Sequence, residues 1–258
     1  MCRWLAYWGD PRFMEDLVTK PDRSLIHQSL HAAEAKTETN GDGFGIGWYG
    51  EKETPGLYRE ILPAWNDENL RHLATQIRSR LFFAHVRAST GTATTRSNCH
   101  PFSHGRWLFM HNGQIGGYGA VRRRLERELP DDLYSSRQGT TDSEVIFLLA
   151  LAQGMEDDPV GGMERSLKLV RQTMTEAGIK DPLRFTAALS DGRSLYAFRY
   201  SSDAFAPSLY HDTVGSGALT VVSEPLDTDR ARWSAVPQGH VLSVYQDGRT
   251  QTTALSIS

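Results

Sequence analysis

Short apolar runs crowd both ends of the chain, and longer runs with helical spacing fill its middle. Arg3 to Trp8 is apolar and short, which predicts a buried strand that Pro11 and the turn after it end. Leu25 to Ala35 sets Ile26, Leu30 and Ala33 on one side of a helix. A glycine-rich turn, Asn40 to Gly47, leads into a strand over Phe44 to Tyr49, and residues 51–66 read as a hairpin and loop. Leu70, Leu73, Ala74 and Ile77 give an apolar face to a helix from Asp67 to Arg78. Strands are predicted over Leu81 to Arg87 and Trp107 to His111, with a polar, turn-rich stretch from 88 to 105 between them. Helices are expected near 117–128, 142–153 and 159–177. Strands then return over Phe185 to Leu189, Leu195 to Tyr200, Leu219 to Ser223 and Val241 to Gln246.

Strands from both ends with helices between them predict a layered α+β arrangement, two sheets with helices outside. No repeat, low-complexity linker or shift in composition divides the 258 residues, so residues 1–258 are expected to form a single domain. A net charge of -3 argues against nucleic acid as a partner. The Arg122-Arg123-Arg124 cluster alternates with Glu126 and Glu128 on a helical pattern, as a solvated helix face does. No apolar run is long enough to span a bilayer, and the N-terminus lacks the pattern of a signal peptide. Two cysteines make no disulfide framework, so a reducing, cytoplasmic location is expected, with no membrane association.

Candidate chemistry begins at Cys2. Removal of Met1 would leave a thiol and a free α-amine on one residue, and an α-amine with a pKa of about 8 can serve as the base. Taken alone, Cys2 reads better as an incidental small apolar residue on the first strand. His85-Val-Arg87-Ala-Ser-Thr90 ends a strand with a cation and two hydroxyls, suited to a carboxylate or to a surface ion pair. His111-Asn112-Gly113 can aim a side-chain amide and a backbone N–H at one oxygen, or can be an Asn-Gly turn. Thr141 and Glu144 fit a capping box with Asp142 in the first helical turn, where Asp142 either complements the helix dipole or grips an ammonium group. Gly41 to Gly45 lacks the residues of a phosphate loop and suits close backbone approach or a strained turn. His85, His100, His104 and His111 lack metal-ligand spacing and read as core or supporting residues, and Cys99 as a buried thiol. No metal and no cofactor is expected.

Together these motifs resemble the glutaminase domain of the class II glutamine amidotransferases. The resemblance rests on Cys2, the Asn40-Gly-Asp-Gly-Phe-Gly-Ile-Gly turn, His85-x-Arg-x-Ser-Thr, Asn98-x-His-Pro-Phe, His111-Asn-Gly and Thr141-Asp-Ser-Glu, in this order. It runs on through Ser223-Glu-Pro-Leu226. The chain is similar to the short, stand-alone YafJ-type members and to the γ-glutamyl hydrolase of ergothioneine biosynthesis. The resemblance implies a four-layer αββα fold of the N-terminal-nucleophile hydrolase type. It implies catalysis by Cys2 with an oxyanion hole at Asn112 and Gly113. It places the substrate α-carboxylate on Arg87 and Thr90 and the α-ammonium on Asp142, with His111 beside them and a Gly43 carbonyl near Cys2. Ala88 departs from relatives that carry an aromatic residue there, which leaves the width of substrate specificity open.

Four readings stay in play. The first is glutamine hydrolysis through a Cys2 thioester, releasing ammonia and glutamate. The second is hydrolysis of a γ-glutamyl amide on a larger metabolite at the same site. The third is a γ-glutamyl-binding sensor or assembly subunit, and the fourth a histidine-based metal hydrolase. Many relatives fuse this domain to a synthase. With nothing after residue 258, either an acceptor protein binds in trans or the chain is a hydrolase. The sequence leaves the oligomeric state open, a dimer included.

Overall fold

The computed structural model describes residues 2–34, 39–89, 91–214 and 217–257. In chain order, β1 (Arg3–Phe13), α1 (Glu15–Val18) and α2 (Leu25–Leu30) precede β2 (Phe44–Trp48), β3 (Gly56–Glu60), α3 (Glu68–Gln76) and β4 (Arg78–Val86). Next come β5 (Phe102–His104), β6 (Trp107–Ile115) and the helices α4 (Tyr118–Glu126), α5 (Asp131–Ser136), α6 (Asp142–Ala152) and α7 (Pro159–Glu176). The last part holds β7 (Leu183–Ser190), β8 (Leu195–Ser201), β9 (Tyr210–Val214), β10 (Ala218–Val222), β11 (Ser234–Ala235), β12 (His240–Val244) and β13 (Thr250–Ala254). Among the described residues no helix is long and apolar enough to cross a membrane.

The strands form two antiparallel sheets, ordered β11-β9-β10-β1-β4-β2-β3 and β13-β12-β8-β7-β6-β5. Side-chain alternation sorts each strand between two cores. Leu5, Tyr7, Phe82, Ala84, Phe44 and Ile46 leave the first sheet toward α1, α2 and α3. Phe109, Phe185, Ala187 and Phe198 leave the second toward α4, α6 and α7. Trp4, Ala6, Leu81, Phe83, Leu108, Met110, Ala188 and Ala197 fill the seam between the sheets. Three apolar layers separate four layers of structure, so the arrangement is αββα. Helix α6 is buried almost all round, which its nearly unbroken apolar run requires.

Several expected elements are corrected. Strand β1 does not stop before Pro11. It continues to Phe13 across a register shift between Trp8 and Arg12, and an irregularity of that kind tolerates a proline without an N–H. The helix expected to Ala35 ends at Leu30, which is exposed rather than on an apolar face. Asn112 and Gly113 form no hairpin turn but lie inside β6, paired with Thr186 and Phe185. The short elements α5, β9, β11 and β13 were not expected. β13 is exposed along its length and carries no apolar pattern to read.

A buried ion pair anchors the start of β1. Arg3 and Glu224 are both fully buried, with Nε and Oε2 4.0 Å apart. The Glu224 carboxylate accepts hydrogen bonds from the Ala33 and Glu34 amides at 3.0–3.1 Å. Arg3 donates to the Glu34 and Ser223 carbonyls at 2.9 and 3.3 Å. Removing one member strands the other in an apolar setting. Glu224→Ala is therefore expected to destabilise the protein by about 3–5 kcal/mol in urea unfolding, with Arg3 left uncompensated.

Candidate active site

The site forms where the seam between the sheets turns polar. Along β4 the seam-facing row reads Leu81, Phe83, His85 and then Arg87. Along β1 it reads Ala6, Trp4 and then Cys2. Along β6 it reads Leu108, Met110, Asn112 and Gln114, and along β7 Ala188, Thr186 and Arg184. Each row is apolar in the shared core and polar at the same end. Cys2, Arg87, Asn112 and Arg184 therefore meet at one mouth of the seam. They line a cavity of about 220 Å³ together with Asp142 and His111.

Register sets the first sheet's contribution. Arg3 and Phe44 both pair with Val86, so one residue further on, Cys2, Arg87 and Gly43 lie side by side. The Ala88 amide donates to Cys2 Sγ at 3.4 Å, and the thiol lies 3.6 Å from the Ala88 carbonyl. Removal from water raises the Cys2 thiol above its ordinary value. The Ala88 N–H and the cations of Arg87 and Arg3 oppose that shift in part.

Arg87 is buried and donates to the Asp42 carbonyl, Ser89 Oγ, Thr92 Oγ1 and the Ala93 carbonyl at 2.6–3.4 Å. All four acceptors are neutral oxygens. Among the described residues no carboxylate pairs with this guanidinium, so the cavity holds a buried cation suited to an incoming carboxylate. Asp42, which the sequence did not single out, braces the loop by accepting the Ser89 amide at 2.7 Å. Thr90 lies outside the described residues, as does Met1. Gly43 does not line the cavity. Its carbonyl accepts the Arg87 amide at 2.8 Å. Its φ of +105°, and the 2.7 Å at which a Cβ would meet Cys99 Sγ, account for the glycine.

The second sheet supplies Asn112 and Gly113. The pairing of β5 with β6 ends at Phe102 and Phe109, so β6 from residue 110 onward lacks a neighbour on that side among the described residues. Asn112 is buried, and its Nδ2 has no hydrogen-bond partner among them. An unsatisfied buried amide costs about 1–3 kcal/mol, which an acceptor in the cavity would relieve. Gly113 packs so closely on the Arg184 carbonyl that a Cβ would lie 1.9 Å from it. That contact bars any side chain there.

Asp142 opens α6. Its Oδ2 accepts the Ile115 amide at 2.8 Å and its Oδ1 accepts the Ser143 amide at 2.9 Å. The carboxylate thus ties the helix to the end of β6 and still has lone pairs for a cation. Only half of the expected capping box forms. Thr141 Oγ1 accepts the Glu144 amide, but the Glu144 carboxylate reaches past Thr141 to the Gln138 and Gly139 amides.

Histidines back the site. The His85 and His100 rings lie against each other at a tilt of 31° with centroids 4.3 Å apart, and His100 meets Phe102 edge-on. His85 Nε2 lies 3.3 Å from the His111 carbonyl, and His111 Nδ1 lies 2.8 Å from Ser143 Oγ. Among the described residues no group of three His, Cys, Asp or Glu side chains has metal-binding geometry. Burial lowers all three histidines, His85 to about 3, with Arg87 and His111 adding to the shift there.

A family model for class II glutamine amidotransferases matches residues 16–210. This chain belongs to the class II glutamine amidotransferases. It is 32% identical to the probable glutamine amidotransferase DUG3 of Saccharomyces cerevisiae, over 95% of this chain and 82% of that protein. It is 30% identical to the gamma-glutamyl-hercynylcysteine sulfoxide hydrolase of Mycolicibacterium smegmatis, over 99% of this chain and 100% of that protein. A solved glutamine aminotransferase class-II domain protein from Silicibacter pomeroyi superposes with a TM-score of 0.79 at 38% identity, covering 99% and 100% of the two chains. Within this class II glutamine amidotransferase, Arg184, Gln114 and the Ala88 backbone escaped the sequence reading. Arg184 sits in a mostly apolar strand, and its pairing with Gln114 places it at the cavity end of β7.

The neutral histidines set a pH dependence. Such a histidine takes up its proton in the unfolded chain but not in the folded one. Its stabilisation is complete above about pH 6.5 and is lost as pH falls toward 3. Urea unfolding from pH 7 down to 5 is expected to lose up to about 1 kcal/mol per pH unit from His85, with His100 and His111 acting in the same direction. His100→Phe is expected to flatten that slope.

Proposed function

We propose that the chain hydrolyses the amide of a γ-glutamyl group, with glutamine its simplest substrate, through a thioester on Cys2. One observation carries this reading: a thiol, an uncompensated buried cation, a carboxylate with free lone pairs and an unsatisfied amide donor converge on one small cavity. Free glutamine and γ-glutamyl compounds carry the matching groups, an α-carboxylate for Arg87 and an α-ammonium for Asp142. Holding both ends leaves the side-chain amide at Cys2, which is catalysis by orientation.

The raised thiol requires a base. After Met1 is removed, the Cys2 α-amine takes the thiol proton as Sγ bonds to the amide carbon. Asn112 Nδ2 and the Gly113 N–H hold the negative oxygen of the tetrahedral intermediate. The C–N bond then breaks, and the amine's proton goes to the departing nitrogen. Water, deprotonated by the same amine, attacks the thioester and releases the γ-carboxylate and the thiol. His111 acts through Ser143 and the β6 backbone, keeping Asn112 and Gly113 in line. The reading assigns the chain to a reducing, cytoplasmic setting, in keeping with two free cysteines, with a small molecule as its partner. An acceptor protein could take the released ammonia in trans.

Intact mass spectrometry before and after the glutamine-like electrophile diazo-oxo-norleucine tests the nucleophile. The expected result is a chain without Met1 that gains one adduct on Cys2, and no adduct in Cys2→Ala. Fully active protein that retains Met1 would refute the mechanism.

The oxyanion assignment has its own test. Asn112→Ala is expected to lower kcat by about 10²–10³ with little change in KM, since the donor acts chiefly on the transition state. A rise in KM at constant kcat would reassign Asn112 to substrate binding.

A further inference from the structure

The cavity extends beyond the groups that a γ-glutamyl moiety occupies. Strands follow the same lateral order in both sheets, β2, β4, β1, β10 in one and β5, β6, β7, β8 in the other. Contacts across the seam fix how these rows face each other. A Cβ on Gly47 of β2 would meet Leu108 of β6, and His85 of β4 reaches the His111 carbonyl of β6. Trp8 of β1 donates to the Arg193 carbonyl in the turn between β7 and β8 at 2.8 Å. The step from Arg87 on β4 to Cys2 on β1 therefore runs in the same direction as the step from β6 to β7. A γ-glutamyl group held at Arg87 and attacked at Cys2 aims its leaving amine toward β7.

Arg184 lies there. It is the last seam-facing residue at that end of β7, paired with Gln114, and lines the same cavity. Its Nη2 donates to Asp203 Oδ2 at 2.7 Å. Asp203 is not devoted to it, because the same carboxylate accepts Ser201 Oγ and the Phe205 amide. Arg184 Nε is buried and has no hydrogen-bond partner among the described residues. Hydrolysis of glutamine uses one cation and one carboxylate and makes no use of Arg184, whose partner in the structure is Asp203.

We propose that Arg184 receives a carboxylate on the leaving amine, so that the preferred substrates are γ-glutamyl amides of amino acids or short peptides. The assignment rests on the Cys2 reading above. In such substrates a carboxylate follows the scissile C–N bond at short distance, and a partly exposed guanidinium lining the cavity offers it a charge-assisted contact that ammonia and simple amines cannot use. Arg184 is then a specificity residue, and the γ-glutamyl end is recognised alike in every substrate.

The test compares kcat/KM of the Met1-free enzyme for γ-glutamylglycine and for γ-glutamylmethylamide, the same amide without the carboxylate. The wild type is expected to favour the acid by about tenfold or more, the scale of one charge-assisted hydrogen bond. Arg184→Gln is expected to reduce that preference to about threefold or less, chiefly through a higher KM for the acid. Arg184→Lys is expected to keep part of it. A wild-type ratio near one overturns the assignment without any variant. So does a ratio that Arg184→Gln leaves unchanged, as a purely structural Arg184–Asp203 pair would, since it slows both substrates in proportion. If the wild type hydrolyses neither amide nor glutamine, the Cys2 mechanism itself fails. If it hydrolyses both amides equally well, only the role of Arg184 is lost.

Discussion

The register of β1 against β4 is the constraint on which the site depends. Pairing Arg3 with Val86 puts Cys2 beside Arg87 and turns both side chains into the seam. A slip of one residue would send Cys2 to the helical face and bring Arg3 into the cavity. The slip is opposed on both faces, because Trp4 and Ala6 fill the seam while Leu5 and Tyr7 fill the helical side. The Arg3–Glu224 pair adds a specific lock, since Arg3 finds its carboxylate only on the helical side. A nucleophile at the very start of a chain would ordinarily fray. Cys2, the proposed nucleophile, is held by the same contacts that close the core.

The seam also explains why so much polarity is tolerated in a buried place. Each inner row is apolar over most of its length, and the cost of its polar end is confined to one mouth. Histidines lie between the two regimes. In their neutral form His85 and His100 pack as aromatic rings against each other and Phe102, yet they border the Arg87 cation without an ion of their own. A carboxylate in their place would need a partner that this layer does not offer.

Much of the layer order was readable from the chain, because the amphipathic spacing of α3 declares one buried face and the nearly unbroken apolar runs of β4 and β7 declare strands buried on both. The resemblance of six short motifs carried Cys2, Arg87, Asn112 and Asp142, which no single pattern could. What escaped depends on pairing between distant segments. Asn112-Gly113 has the composition of a turn, and only the β7 partner makes it strand. Glu144 has the spacing of a capping box, but the loop before it offers two amides that compete for its carboxylate. Arg184 looks like a surface residue until Gln114 is set opposite it. β13 has no apolar face, so its pairing with β12 is backbone alone to the sequence reader.

The cavity is out of balance in a particular way. Among the described residues, Arg87 has donors satisfied by neutral oxygens but no opposite charge, and Asp142 has its backbone amides but no cation. A zwitterion brings both charges at once, so its binding relieves costs that folding imposed. Those contacts are equal in the bound substrate and in the tetrahedral intermediate, so they orient the substrate and do not by themselves lower the barrier. Asn112 differs. In the proposed mechanism its unsatisfied donor would gain most when the carbonyl oxygen becomes negative, because a charge-assisted hydrogen bond is about twice as strong as a neutral one. The division of labour between sheets follows from this. In the proposed mechanism the first sheet, with α6, would hold the ends of the substrate and the attacking thiol, and the second sheet would supply the stabilisation that grows only as the bond to sulfur forms.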